Sequence, residues 1–91
     1  MNDTYQLIGA LSNDLMRVAS LSHSGSIVGA QRFLLEAKRW AEPLKDLPIA
    51  PHIRNIAQHI SDKNDGLISQ KEAELYLMYG VLLQNYALHA Q

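Results

Sequence analysis

Hydrophobic side chains recur at intervals of three and four residues through the first half of the chain, the spacing of one face of an α-helix. The first set is Ile8, Leu11, Leu15 and Val18. Charged residues separate the members of a second set, which is Ile27, Ala30, Leu34, Ala37, Ala41 and Leu44. The pattern predicts two amphipathic helices, at about 3–20 and about 27–42.

Prolines interrupt this pattern in the middle of the chain, at Pro43, Pro48 and Pro51. Proline has no backbone N–H and disfavours helical geometry at the preceding residue, so segment 43–51 is predicted to be the main connection. Pro51 suits the first position of a third helix, at about 51–61, because its missing amide costs nothing there.

Ser69 and Glu72 give the clearest helix signal in the sequence. They form the pattern S-x-x-E, a capping box in which each side chain accepts a hydrogen bond from an amide at the helix start. The fourth helix is therefore predicted at about 69–89. The sequence as a whole predicts an all-α fold, with four helices in two helix-turn-helix hairpins that make a single domain over 1–91.

The fourth helix carries apolar or aromatic residues on almost every face. Such a helix is either central in its own domain or covered by a partner, and three short helices cannot surround a fourth. We therefore expect a homodimer through helix four, unless helix one covers most of it and the tyrosines tolerate partial exposure. Large rigid side chains concentrate interface energy. The candidate partner-binding residues are Trp40, Tyr76, Tyr79, Leu83 and Tyr86.

Composition narrows the possible functions. The chain is 47% hydrophobic and 19% charged, which favours a packed fold over disorder. Its formal net charge of −1 includes no basic run, so nucleic-acid binding is not expected. The absence of cysteine excludes disulfides and thiolate chemistry. The sequence lacks a basic signal region and a long apolar span, so we expect a cytoplasmic protein with no membrane partner and no cofactor.

The stretch "SDKNDGLISQKE" at 61–72 partly follows the pattern of a calcium-binding loop. Such loops place oxygen ligands at positions 1, 3, 5, 7, 9 and 12, with glycine at position 6. With Gly66 at position 6, Asp65, Ser69 and Glu72 fall at ligand positions, but Lys63 falls at position 3. The first half of the pattern therefore fails, as if one residue had been lost.

The stretch "SLSHSGSIVGAQ" at 20–31 follows the same register, with serines in place of acids and Gln31 at position 12. Together the two stretches resemble a tandem EF-hand domain with degenerate loops. The resemblance implies an EF-hand-like helix pair, a silent first loop and at most weak calcium binding in the second. The ligands would be Asp62, Asn64, Asp65, Ser69 and Glu72. Plain helical hairpins with glycine turns explain the same stretches without a metal.

The stretch "RNIAQH" at 54–59 resembles the R-N-x-x-x-H motif of HEPN-type RNases, which are small helical bundles that dimerise. The resemblance implies an alternative function, RNA cleavage at a composite dimer site by Arg54, Asn55 and His59. Arg54 and His59 point about 140° apart on a helix, so they would have to converge by long side-chain reach or across two chains. Solvent-facing polar residues on a short helix are the simpler interpretation.

Taken together, these patterns favour a non-enzymatic helical interaction or regulatory module that acts as an oligomer and binds a protein partner. RNA cleavage by Arg54 and His59 is one alternative, and a weak calcium response is another. Neither the histidines nor the glycines form a recognisable catalytic or phosphate-binding motif.

Overall fold

The computed structural model describes residues 3–64 and 66–89 and confirms the predicted all-α fold of four helices. The described residues contain no β-strand. At ~1.5 Å per residue, the two longest helices, of 21 and 20 residues, span most of the long dimension of the molecule, which measures 36 Å. The four elements are α1 (Asp3–His23), α2 (Ile27–Leu44), α3 (Pro51–Asp62) and α4 (Gln70–His89).

A glycine turn joins α1 to α2 over only three residues, 24–26. Gly25 has φ of +86°, a conformation that residues with a Cβ rarely adopt. The amide of Ser26 donates to the carbonyl of Leu21, and the amide of Gly25 donates to that of Ser22. This hydrogen-bond pair is a Schellman motif. It ends α1 three residues later than the predicted boundary at 20, inside the stretch that the calcium-loop register treated as loop.

Helix α2 also extends beyond its predicted end at 42, because it includes Pro43 and stops at Leu44. Pro43 has no N–H to donate to the carbonyl of Arg39, but it is the second-to-last residue of the helix, so the interruption costs one backbone hydrogen bond and the helix ends one residue later. Pro51 takes the first position of α3, as the sequence predicts. The connection between these two helices is therefore shorter than predicted, 45–50.

The predicted capping box at the start of α4 is confirmed. The Ser69 amide donates to the Glu72 carboxylate over 2.9 Å, and the Glu72 amide donates to the Ser69 hydroxyl over 3.0 Å. Both bonds satisfy amides that would otherwise have no partner at the helix start. They fix the first turn of the helix that carries the exposed apolar surface described below.

The buried side chains form one hydrophobic cluster to which all four helices contribute. Helix α1 packs against both α2 and α4, and α2 packs against α3. Helices α3 and α4 contact each other through side chains. His59 of α3 contacts Tyr79 of α4, and the ring of His52 lies 6.0 Å from that of Tyr86. Every helix therefore has one face in the core and one face toward solvent.

Candidate functional site

An exposed apolar surface runs along α4 on the side away from the core. Its members are between 42% and 61% exposed, although all are aliphatic or thioether side chains. We call this surface the α4 strip, and it consists of Leu77, Met78, Val81, Leu82 and Leu88. Exposed apolar groups gathered on one face of a helix are the usual sign of an interaction surface.

The face that α4 buries in the bundle determines which of its apolar residues are exposed. Its buried residues Ala73, Tyr76, Gly80 and Leu83 are spaced by three, four and three, so they share one helical face. The strip residues lie on the remaining arc, where Met78 is opposite the buried face and Leu77, four residues after Ala73, borders it. Both the buried face and the exposed arc of this helix therefore carry apolar side chains.

A groove of about 320 Å³ opens beside the N-terminal end of the strip, between α1 and α4. Its walls are mainly apolar, and polar side chains line part of its edge. Leu77 belongs to both the groove and the strip, so the two surfaces are continuous. The lining residues are Met16, Ala19, Ser20 and His23 from α1, with Gln70, Ala73, Glu74 and Leu77 from α4.

The structure places the predicted partner-binding residues differently from the α4 strip. Tyr76 and Leu83 are buried in the core, so they are not part of the surface that a partner would meet. Tyr79 and Tyr86 are half-buried against α3. The hydroxyl of Tyr79 lies 2.7 Å from Nδ1 of His59, and the hydroxyl of Tyr86 accepts a 3.4 Å hydrogen bond from the Ala50 amide. The tyrosines therefore serve mainly contacts within the chain.

Trp40, the remaining predicted partner residue, is half-buried and bound to α1. Its indole N–H donates to the Asp14 carboxylate over 2.9 Å. A second groove, of about 460 Å³, runs between Trp40 and the first turns of α1 and includes Leu7. One edge of the indole thus remains available for contact with another molecule.

Asp14 is an acidic residue inside the bundle, with 4% of its surface exposed. Burial and the nearby negative charge of Glu36 raise the pKa of its carboxyl, although the Trp40 hydrogen bond and Arg17 oppose this change. Arg17 reaches it only over 3.7 Å and is itself mostly exposed. The Asp14 carboxylate fixes the indole of Trp40, but Arg17 balances its negative charge only weakly.

In the second loop, the side chain of Lys63 supplies a positive charge at the place where the sequence suggested a calcium ion. The ammonium of Lys63 lies 2.8 Å from the Glu72 carboxylate and donates to the Leu67 carbonyl over 3.2 Å. In the calcium-loop register, Leu67 and Glu72 supply the ligands at positions 7 and 12. Partial burial would raise the pKa of Glu72, but hydrogen bonds from Lys63 and Ser69 together lower it.

The other candidate calcium ligands do not converge on that point. Asp62 accepts a hydrogen bond from Gln58, and the Asn64 side chain accepts one from the Gly66 amide. Ser69 is engaged in the helix cap, and Asp65 lies outside the described residues. Within the described part of the chain, no group of three acidic or histidine side chains is placed to hold a metal ion.

The candidate RNase residues lie on the exposed side of α3, where Arg54, Asn55 and His59 all face solvent. The buried face of this helix is formed by Ile53, Ile56, Ala57 and Ile60. At 100° per residue, Arg54 and His59 flank opposite edges of that face. His59 is engaged by Tyr79. The structure therefore does not bring the arginine and the histidine together within one chain.

Comparison with protein-family models, with curated proteins and with solved structures finds no match to this chain. None of the described helices combines the length and the apolar character needed to span a membrane. The function has to be argued from the surfaces that the fold creates.

The sequence predicted partner contacts on the fourth helix and assigned them mainly to its large aromatic residues. The aromatic residues drew attention because they are large and rigid, whereas the exposed positions are mostly leucine, valine and methionine. The sequence contains the information needed to find these positions. If Tyr76, Gly80 and Leu83 are assigned to the core, the apolar residues that remain on the helix are mainly those of the α4 strip.

Proposed function

We propose that this chain is a non-enzymatic helical interaction module that associates with a second copy of itself through the α4 strip. The observation that carries the proposal is the exposure of five apolar side chains on one face of the fourth helix. Burying apolar surface yields about 25 cal/mol per Å², so covering this face favours association. A partner is needed because the core already uses the opposite face.

The spacing of the residues along this face suits another helix. Glu74, Met78, Val81, Asn85 and Leu88 follow one another at intervals of four, three, four and three. This is the spacing of the contact seam between two helices of a coiled coil. Leu77 and Leu82 flank the seam and widen it. A helix with an apolar face is therefore the partner that this surface fits best.

A regulatory role follows if another protein offers such a helix. The amphipathic helix of a different protein would occupy the same strip as the second copy, so the two would compete. Partner binding would then convert the self-associated form into a mixed complex. Trp40, at the other side of α1, remains the candidate for additional partner contact.

The variant Val81→Glu tests the proposal, because Val81 is at the centre of the strip and 44% exposed. Glutamate is a good helix former, so α4 should keep its structure while the strip gains a charge. Leu35→Glu is the matched control: Leu35 is a helical residue with 51% exposure on α2, outside the strip.

Sedimentation velocity on the three proteins should show self-association in the native chain and in Leu35→Glu. In Val81→Glu it should be weakened on the order of tenfold or more, which corresponds to at least ~1.4 kcal/mol. Circular dichroism should show unchanged helix content. Equal association in all three proteins would contradict the proposal.

No specific observation favours the alternative functions to the same degree. Calcium binding would have to displace the Lys63 ammonium from Glu72. RNA cleavage would need two chains to bring together an arginine and a histidine that flank opposite edges of α3. Both remain predictions from sequence resemblance.

A further inference from the structure

We infer that the two copies associate antiparallel about a two-fold axis at Val81, with Leu88 of each copy inserted into the groove between α1 and α4 of the other. This inference rests on the proposed self-association and adds its orientation and its central contact. It makes the groove a composite site that is complete only when the partner's C-terminal turn fills it.

The positions of the groove and of Leu88 along α4 are the first argument. Glu74, on the groove's edge, lies seven residues before Val81, and Leu88 lies seven residues after it. Each is therefore ~10.5 Å from Val81 along the helix axis. A two-fold axis at Val81 therefore places Leu88 of each copy beside Glu74 of the other, at the edge of the groove.

The shapes of the two features are the second argument. Leu88 is the most exposed residue of the strip, at 61%, and projects from the last turn of α4. The groove measures about 320 Å³ and has apolar walls from Met16, Ala19 and Ala73. A cavity of ~150 Å³ already accepts a benzene molecule, so this groove is large enough for a leucine side chain. Insertion would remove an exposed side chain and an apolar groove from water together.

The polar residues near the two ends of the seam give the third argument. Glu74 is the one acidic member of the contact seam, Asn85 is its other polar member, and His89 follows Leu88 in the last turn of α4. A parallel pair would bring two Glu74 carboxylates together across the interface, and like charges placed against each other there are unfavourable. An antiparallel pair brings each Glu74 to the partner's Asn85 and the partner's His89, which can donate hydrogen bonds to it. Antiparallel packing also opposes the two helix dipoles favourably.

The chain contains no cysteine, so single cysteines can report the orientation without background. The three variants are Glu74→Cys, Val81→Cys and Leu88→Cys, all at exposed positions. A disulfide forms only when the two Cα atoms approach within about 7 Å. In the antiparallel pair, two copies of position 88 lie ~21 Å apart along the axis, whereas position 88 lies beside position 74.

Mild oxidation should therefore give a disulfide dimer rapidly for Val81→Cys alone and for a mixture of Glu74→Cys with Leu88→Cys. In the mixture, the heterodimer should form on the order of tenfold faster than either variant links to itself, because the complex raises the effective concentration of the two thiols. The variant Leu35→Cys, whose cysteine lies outside the α4 strip, gives the rate of disulfide formation by random collision.

The result that overturns the inference is rapid self-linking of Leu88→Cys and of Glu74→Cys with no excess of the heterodimer. That pattern would establish a parallel pair and leave the proposed self-association intact. If every variant links at the rate of Leu35→Cys, and light scattering shows the monomer mass, both the inference and the proposed function fail.

Discussion

The side-chain hydroxyl of Ser12 in α1 donates a 2.6 Å hydrogen bond to the backbone carbonyl of Gly80 in α4. Both groups are buried, although 68 residues separate them in the chain. The bond forms because Gly80 has no side chain to hold the two helices apart. A Cβ added there would lie 2.7 Å from Cγ of Met16 and 3.2 Å from the Ser12 carbonyl oxygen. This close approach fixes which face of α4 is turned toward solvent.

The first prediction concerns this close approach. Gly80→Ala should destabilise the fold by about 1–3 kcal/mol, because overpacking outweighs the ~1 kcal/mol helix preference for alanine. Gly9→Ala, on the adjacent helix, is the matched control since an added Cβ meets nothing within 4 Å there. It should stabilise by about 0.5–1 kcal/mol. Urea unfolding of the three proteins checks both values, and equal stabilisation by the two substitutions would contradict the packing described.

The second prediction concerns Asp14 and pH. Because the folded-state pKa of Asp14 is raised above 3.8, the folded protein binds more protons than the unfolded chain between that value and the raised one. The Asp14 contribution to stability therefore falls as pH rises through this window and stays constant above it. Asp14→Asn removes the buried charge and keeps an acceptor for Trp40, so its advantage over the native chain should grow with pH.

Thermal unfolding between pH 3 and pH 8 measures that advantage. Asp14→Ala serves as the comparison because it removes the charge and also the hydrogen bond to Trp40. It should be about 1 kcal/mol less stable than Asp14→Asn at every pH. A pH-independent difference between Asp14→Asn and the native chain would show that the carboxyl is not perturbed.

The third prediction concerns the internal cation at Glu72. Millimolar calcium should leave the melting temperature of the native chain unchanged, because the Lys63 ammonium already engages the Glu72 carboxylate. Lys63→Met should be about 1 kcal/mol less stable than the native chain, since this ion pair is only partly exposed and includes a charge-assisted hydrogen bond. A calcium-dependent rise in the native melting temperature, abolished by Glu72→Gln, would instead support a calcium-binding loop.

The ion pair between Lys63 and Glu72 should also make the stability of the fold depend on pH. The folded-state pKa of Glu72 is lowered from 4.5, so its contribution to stability is present above that pH and is lost as pH falls below it. The loss should be smaller in Lys63→Met, where the ammonium that favours the charged carboxylate is absent. Chemical denaturation at pH 3 and pH 6 provides the comparison, and an equal acid loss in both proteins would contradict the ion pair.

Local sequence signals predicted most of the fold. The apolar spacing at Ile53, Ile56 and Ile60 identified the buried face of α3, and the S-x-x-E pattern located the start of α4. Both depend on residues within one or two helical turns. The end of α1 was missed because the hydrogen bonds of the Schellman turn at Gly25 set it, and the apolar spacing does not show them. The end of α2 was missed because Pro43 was expected to stop the helix, although at the second-to-last position it removes only one backbone hydrogen bond.

The candidate site was less predictable, because it depends on which residues of different helices meet. The sequence showed that α4 is apolar on all sides, but only the packing of Gly80 against Ser12 decides which half is exposed. Tyr76 became a core residue for the same reason. The contact between Lys63 and Glu72 was not predicted. In the calcium-loop register, Lys63 was interpreted as a position that lacks a ligand, although its ammonium group can itself take the place of the cation.

The molar mass in solution tests the central claim, self-association through α4, most directly. Light scattering on the native chain should be recorded over a dilution series that extends to low micromolar concentration, with and without calcium. We predict a mass that approaches twice 10.2 kDa with rising concentration and does not respond to calcium. A constant mass of 10.2 kDa at every concentration would contradict it.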